Sequence, residues 1–221
     1  MRITEFFLRG LFRRWRFLVP PDEAPDDKMV AAFERLWRSI SSGGRLIYDL
    51  PYAKTAFTRW LTAEKGVLLH GSNHAGLEQL LPRKQTNFSG KPVEAVFASS
   101  DGIWSLYFAL LDYQNPNLST TRNGCFSLFG EMYYIFCVNQ EALEFPLWTS
   151  GWVYIVPPDG FVSQDPEGLW RSEWICDQTV RPLAALPVSY EDFPFYQHVA
   201  GFPRGEHFLL TWARYGRRIG K

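Results

Sequence analysis

Ile3, Phe7, Leu11, Trp15 and Leu18 fall on one face of a helical wheel, with Arg2, Arg9, Arg13 and Arg16 opposite and Arg14 intruding on the apolar side. This spacing predicts an amphipathic helix docked on its own domain, as is usual for surface helices. Contact of its basic face with a membrane or nucleic acid is the secondary expectation. A proline-rich acidic connector, residues 20–27, stops that helix, and Asp26 or Asp27 is placed to cap the next one. Met29, Phe33, Leu36, Trp37 and Ile40 repeat at helical spacing up to Gly43-Gly44. A third helix, with Phe57, Trp60 and Leu61 inward, runs to Gly66.

From Val67 the period changes. Val67-Leu68-Leu69 ends abruptly at His70-Gly71-Ser72, a polar stretch to Lys91 follows, and residues 96–100 form a second apolar run. An aromatic helix around Gly102–Tyr113, a polar turn region at 115–123 and two strands at 125–129 and 132–139 come next. Gly130-Glu131 suits the hairpin between those strands. Residues 152–156 read as a strand closed by Pro157-Pro158-Asp159-Gly160. Residues 173–176 and 183–188 are further strands, and Glu206–Arg214 fits helix or strand. Short strands with few helices after a helical start predict an α+β layout, with residues 1–65 a helical N-terminal region and 66–221 the main domain.

Composition narrows the picture modestly. The chain has 221 residues, 46% hydrophobic and 17% aromatic, enough for a sizeable core. Its 23 basic and 23 acidic residues cancel, so charge alone points to neither nucleic acid nor membrane. Cys125, Cys137 and Cys176 have no paired spacing, which argues against a disulfide framework. No stretch approaches the ~20 apolar residues of a membrane-spanning helix, so the expectation is a cytoplasmic protein, with a delivered effector as the variant. His70 and His74 are four apart but straddle Gly71 and lack a glutamate, so no metal is expected. Neither a dinucleotide-binding Gly-x-Gly-x-x-Gly, a phosphate loop nor a hydrolase elbow is present.

Three positions stand out: His70 at a strand end, Tyr107 in the helix after a second strand, and Glu173 at the start of a late strand. His70-Gly71-Ser72 resembles the His-Gly-Ser/Thr of the poly(ADP-ribose) polymerase and diphtheria-toxin branch of ADP-ribosyltransferases. Phe97-Ala98 followed by Tyr107 is similar to that branch's second block, and Ser172-Glu173-Trp174-Ile175 to its acidic block. The resemblance spans residues 67–188 and keeps the order His, Tyr, Glu. It departs at Val96 and Trp104, where that branch has an aromatic and a serine. Residues 153–157 leading to Asp165-Pro166 are similar to a strand and loop of the small rifampicin-modifying members, which makes Asp165 the reserve acid.

The resemblance implies a split antiparallel β-sheet core, NAD as substrate, and ADP-ribose transfer to a protein, nucleic acid or small molecule. It gives His70 a ribose hydroxyl on the adenosine side and lets Ser72 fix the nicotinamide half. The chemistry stands independently: breaking the nicotinamide–ribose bond develops positive charge on the sugar, which a carboxylate such as Glu173 stabilises. Nicotinamide is flat with a carboxamide that donates and accepts, so Gly71's backbone pairs with it while the Tyr107 ring covers its face. Arg171 occupies the position that often reports the acceptor in the wider family, and Trp170 beside it is a candidate stacking ring. The alternatives are a module binding NAD or ADP-ribose without chemistry, and an NAD-dependent RNA 2′-phosphotransferase.

Overall fold

The computed structural model describes residues 10, 14–21, 25–40, 44–87, 90–128, 130–165 and 172–219. Most of the N-terminal amphipathic face, and Trp170 and Arg171, lie outside these residues. The chain divides into two compact units. One comprises Asp22–Leu111 and Trp148–Pro194, the other Met1–Pro21, Asp112–Leu147 and Phe195–Lys221. This division runs differently from a boundary after residue 65. The helices before that point share a unit with the strands that follow, because their aromatic faces are buried there.

In the first unit, α1 (Asp27–Arg38) starts where Asp26 Oδ1 accepts from the Met29 amide at 2.8 Å, so Asp26 is the cap. Its Phe33 packs against Phe57 and Trp60 of α2 (Lys54–Glu64), with ring centroids 5.2 and 5.6 Å away. The helix α3 (Trp104–Leu110) comes close to α2 because Gly102 has no side chain; a Cβ there would meet the Arg59 amide at 2.4 Å.

An eight-stranded sheet forms the body of this unit. It contains β1 (Gly44–Arg45), β2 (Leu68–Ser72), β3 (Arg83–Thr86), β4 (Pro92–Ser99), β7 (Gly151–Val156), β8 (Val162–Ser163), β9 (Glu173–Cys176) and β10 (Ala184–Val188). The order is β1-β10-β7-β2-β4-β9-β8, with β3 paired to β4; all pairs are antiparallel except β1 with β10. β3 lies in the stretch read as polar loop. All four of its residues are exposed, so backbone pairing with β4 holds it and no apolar alternation announces it. One face of the sheet buries Leu68, Val96, Ala98, Tyr154, Val156 and Cys176 in a single cluster.

The second unit is built on β5 (Thr121–Leu128), β6 (Glu131–Asn139) and β11 (Ala200–Phe202). The β5–β6 ladder closes at Leu128↔Glu131, so Glu131 is already paired and Gly130, at φ +80°, is the last loop residue. Leu18 does not continue a helical face but bridges Tyr134; its amide donates to the Tyr134 carbonyl at 3.1 Å. The C-terminal segment is helical, α4 (Phe208–Arg218). No helix among the described residues is long and apolar enough to cross a membrane.

Glu206 ties α4 down. Arg218 donates to both its carboxylate oxygens at 2.6 and 2.7 Å, and Arg214 and Thr211 add bonds of 2.9 and 3.1 Å. Chiefly through the Arg218 bonds, its pKa is held at about 2 against an ordinary 4.5. The lower folded-state value means that this stabilisation is present above pH 4.5 and is lost as pH falls towards 2. Glu206→Gln should lower stability by about 2 kcal/mol at pH 7 and flatten the acid limb of a urea-denaturation pH series; an unchanged limb would exclude this anchor.

Candidate functional site

The described candidate residues named from the sequence all lie in the first unit, around the junction of β2 and β4. β2 shares five register pairs with β7, His70↔Tyr154 among them, but only Leu69↔Ser99 with β4. Past that pair the two strands diverge. The imidazole bridges the gap, with His70 Nδ1 2.7 Å from the carbonyl oxygen of Phe97. A carbonyl only accepts, so Nδ1 carries the proton and Nε2 presents a lone pair. Burial holds His70 below its ordinary pKa of 6.5; the Phe97 bond opposes this and the charge of Arg83 adds to it. The ring is therefore neutral at neutral pH.

Backbone polar groups alternate sides along a strand. The Ile155 carbonyl accepts from Leu183 on the β10 side, so Tyr154 faces β2 and His70 faces Tyr154. It follows that Leu69 and Gly71 turn their N–H and C=O towards β4. Leu69 meets Ser99 there, but the ladder does not extend to Gly71, and the Phe97 carbonyl is taken by His70. Gly71 thus directs both polar groups towards β4 at the point where that ladder ends, the notch between the two strands. Its lack of a side chain is required on the other side, where a Cβ would meet Ser105 O at 2.2 Å and the Ala109 amide at 2.6 Å. Ser72 Oγ accepts from the His74 amide at 3.1 Å and so shapes the turn leaving the strand.

α3 closes one face of the notch. Asp101 Oδ1 accepts from the Ile103 and Trp104 amides at 2.9 and 2.7 Å, and Asn73, just past Ser72, donates to the Ala109 carbonyl at 2.8 Å. Tyr107 on this helix is fully buried, with Phe108, Phe193 and Trp148 rings 5.4, 6.0 and 6.1 Å away. The expected stacking ring is here a packing residue, because the 0% exposure leaves neither face to a ligand.

Glu173 is half-buried at the first position of β9, opposite Ser99, which is also opposite Leu69. Directly paired residues share a face, so Glu173, Ser99 and Leu69 stand on the α3 side. His70 stands on the other face, in a row with Tyr154, Ala98 and Trp174. The acid and the imidazole are close in register but on opposite faces. Asp165 is half-buried beyond β8, with its amide donating to Ser163 Oγ at 3.3 Å.

Two residues of this row lie in blocks the sequence pointed to but were not singled out as site residues. Tyr154 Oη donates to the His74 carbonyl at 2.7 Å and accepts from the Leu77 amide at 3.1 Å, holding the loop after Ser72 over His70's face. Trp174 is half-buried and separated from the His70 position only by Ala98. Alternation within each strand was legible, but which strands are neighbours was not.

A cavity of about 590 Å³ in the same unit is lined by Gln79, Asp159, Gly160, Cys176, Thr179 and Arg181, and by none of His70, Gly71 or Glu173. The notch is thus separate from it. Among the described residues no cluster of three or more His, Cys, Asp or Glu side chains is arranged to hold a metal. No family model, curated protein or solved structure matches the chain.

Proposed function

We propose that the protein is an NAD-dependent ADP-ribosyltransferase, in which the first unit is an ADP-ribosyltransferase-like split sheet that cleaves the nicotinamide–ribose bond and passes ADP-ribose to an acceptor. The observation that carries this is the notch. Gly71 turns an N–H and a C=O into it, complementary to a carboxamide, and the adjoining imidazole offers Nε2 to a hydroxyl. A split in a sheet is also where one ligand meets side chains of both faces. The opposite placement of His70 and Glu173 suits a dinucleotide with two riboses, the adenosine ribose at His70 and the nicotinamide ribose at Glu173.

Glu173 would stabilise the positive charge that develops on the ribose as the glycosidic electron pair leaves with nicotinamide, whose ring nitrogen becomes neutral. The acceptor's nucleophile then forms the new bond to the anomeric carbon and loses its proton. Trp174 is the ring that His70's face offers to a base. The burial of Tyr107 favours a second reading, a module that binds NAD or ADP-ribose without chemistry.

Incubation with NAD labelled in the nicotinamide should release label, and titration calorimetry should show NAD binding that weakens as pH falls below 6.5. Protonation removes the Nε2 lone pair, and it also destabilises the fold: with His70's folded pKa below 6.5, the unfolded chain takes up the proton first. Binding without release across protein, nucleic-acid and water acceptors would favour the second reading. Absence of binding would overturn both.

A further inference from the structure

In the second unit, the ends of β5, β6 and β11 surround a cavity of about 520 Å³, a size typical of small-ligand sites. Arg122, Arg204, Ser119, Thr120, Glu141 and Phe202 line it. The register explains the grouping: Arg122 is opposite Cys137, which is opposite Ala200, and two residues on Asn139 is opposite Phe202.

The lining is rich in unspent donors. The Arg122 guanidinium lies over the Phe202 ring, 4.1 Å from its centroid, and is held in place by one bond to Thr211 Oγ1 and one of 2.7 Å to the Glu206 carbonyl. Those bonds use two of the five N–H donors that a guanidinium carries, so the other three have no partner among the described residues. Arg204 is exposed and makes no hydrogen bond or ion pair among the described residues.

Acceptors are scarce by comparison. The one carboxylate of the lining, Glu141, accepts from Asn139 Nδ2 at 2.9 Å. Asn139 Oδ1 is taken by the Ser119 and Thr120 amides at 2.9 and 3.3 Å, which fixes the chain carrying those two hydroxyls. Two cations against one carboxylate leave the site net positive. A half-buried guanidinium pinned on one face with donors to spare is pre-organised for an acceptor-rich anion, since little rotamer entropy is lost on binding.

We propose that this cavity is a binding site for a phosphoryl group, free or carried by a small molecule, gripped between the spare edge of Arg122 and the Arg204 fork. Two forks lining one cavity, from β5 and from the turn after β11, suit a tetrahedral oxyanion, whose oxygens point in several directions, better than a planar carboxylate.

The test is titration calorimetry of the full chain at matched ionic strength with inorganic phosphate, adenosine 5′-monophosphate and adenosine. Phosphate should bind and adenosine should not. Adenosine monophosphate binding more tightly than phosphate would identify a nucleotide as the source, and equal affinity the free anion. Arg204→Gln should weaken phosphate binding about tenfold or more with the melting temperature little changed, because the exposed side chain makes no hydrogen bond or ion pair among the described residues and only its charge acts on Glu141. Arg122→Lys, which keeps the charge but loses the fork, should weaken it as well. No heat with either phosphate compound, or equal affinity in wild type and Arg204→Gln, would overturn the site.

Discussion

Replacing Glu173 by glutamine should reduce nicotinamide release from NAD by about 10²–10³-fold, the usual loss when one electrostatic stabiliser of a developing charge is removed. Glutamine keeps the size and hydrogen-bonding capacity of the side chain but not its negative charge. It therefore preserves ground-state contacts and removes what is needed only when the ribose becomes cationic. NAD affinity should stay within a few-fold, and the loss should fall on kcat rather than KM. The substitution leaves the backbone pairing intact, because the main chain of Glu173, at the first residue of an edge-proximal strand, supplies the pairing to Ser99 and Gln164. The same substitution at Asp165 separates the two carboxylates. Unchanged turnover in Glu173→Gln with collapse in Asp165→Asn would transfer the catalytic role to the reserve acid.

Tyr107→Ala is expected to cost about 3–5 kcal/mol, the range for truncating a fully buried aromatic. The ring fills the space between α3 and the Trp148 and Phe193 rings, and α3 is the element that abuts Gly71. Its removal should lower the urea midpoint without changing the slope, and the notch should loosen with it. At temperatures where the variant stays folded, NAD affinity should change less than stability does. A loss below 1 kcal/mol accompanied by a tenfold loss of NAD affinity would reverse this assignment and restore Tyr107 as a ligand-stacking ring.

The elements were largely legible in the sequence. A cap at Asp26 or Asp27, the helices over Phe33 and over Phe57 and Trp60, and the strands at Leu68–Ser72, Gly151–Val156, Glu173–Cys176 and Ala184–Val188 follow from caps, breakers and period, which are local properties. What escaped was held by partners distant in sequence. Arg83–Thr86 is polar and exposed throughout, and exists as a strand because β4 supplies its ladder. Leu18 fits a helical face by spacing, yet pairs with Tyr134. Residues 112–147 and 195–221 share a unit with the N-terminal segment that no local composition change marks.

By itself the sequence determined the residue types available for chemistry: an imidazole and a glycine adjacent at the end of a strand, and a glutamate opening another, because strand ends are set by nearby residues. Only the tertiary structure decided how these are presented. Strand order and register, which depend on pairings between residues 30 to 88 positions apart, place His70 and Glu173 on opposite faces, direct Gly71's polar groups towards β4, and seal Tyr107 in the core. A one-residue slip of β4 against β2 or against β9 would bring both to one face.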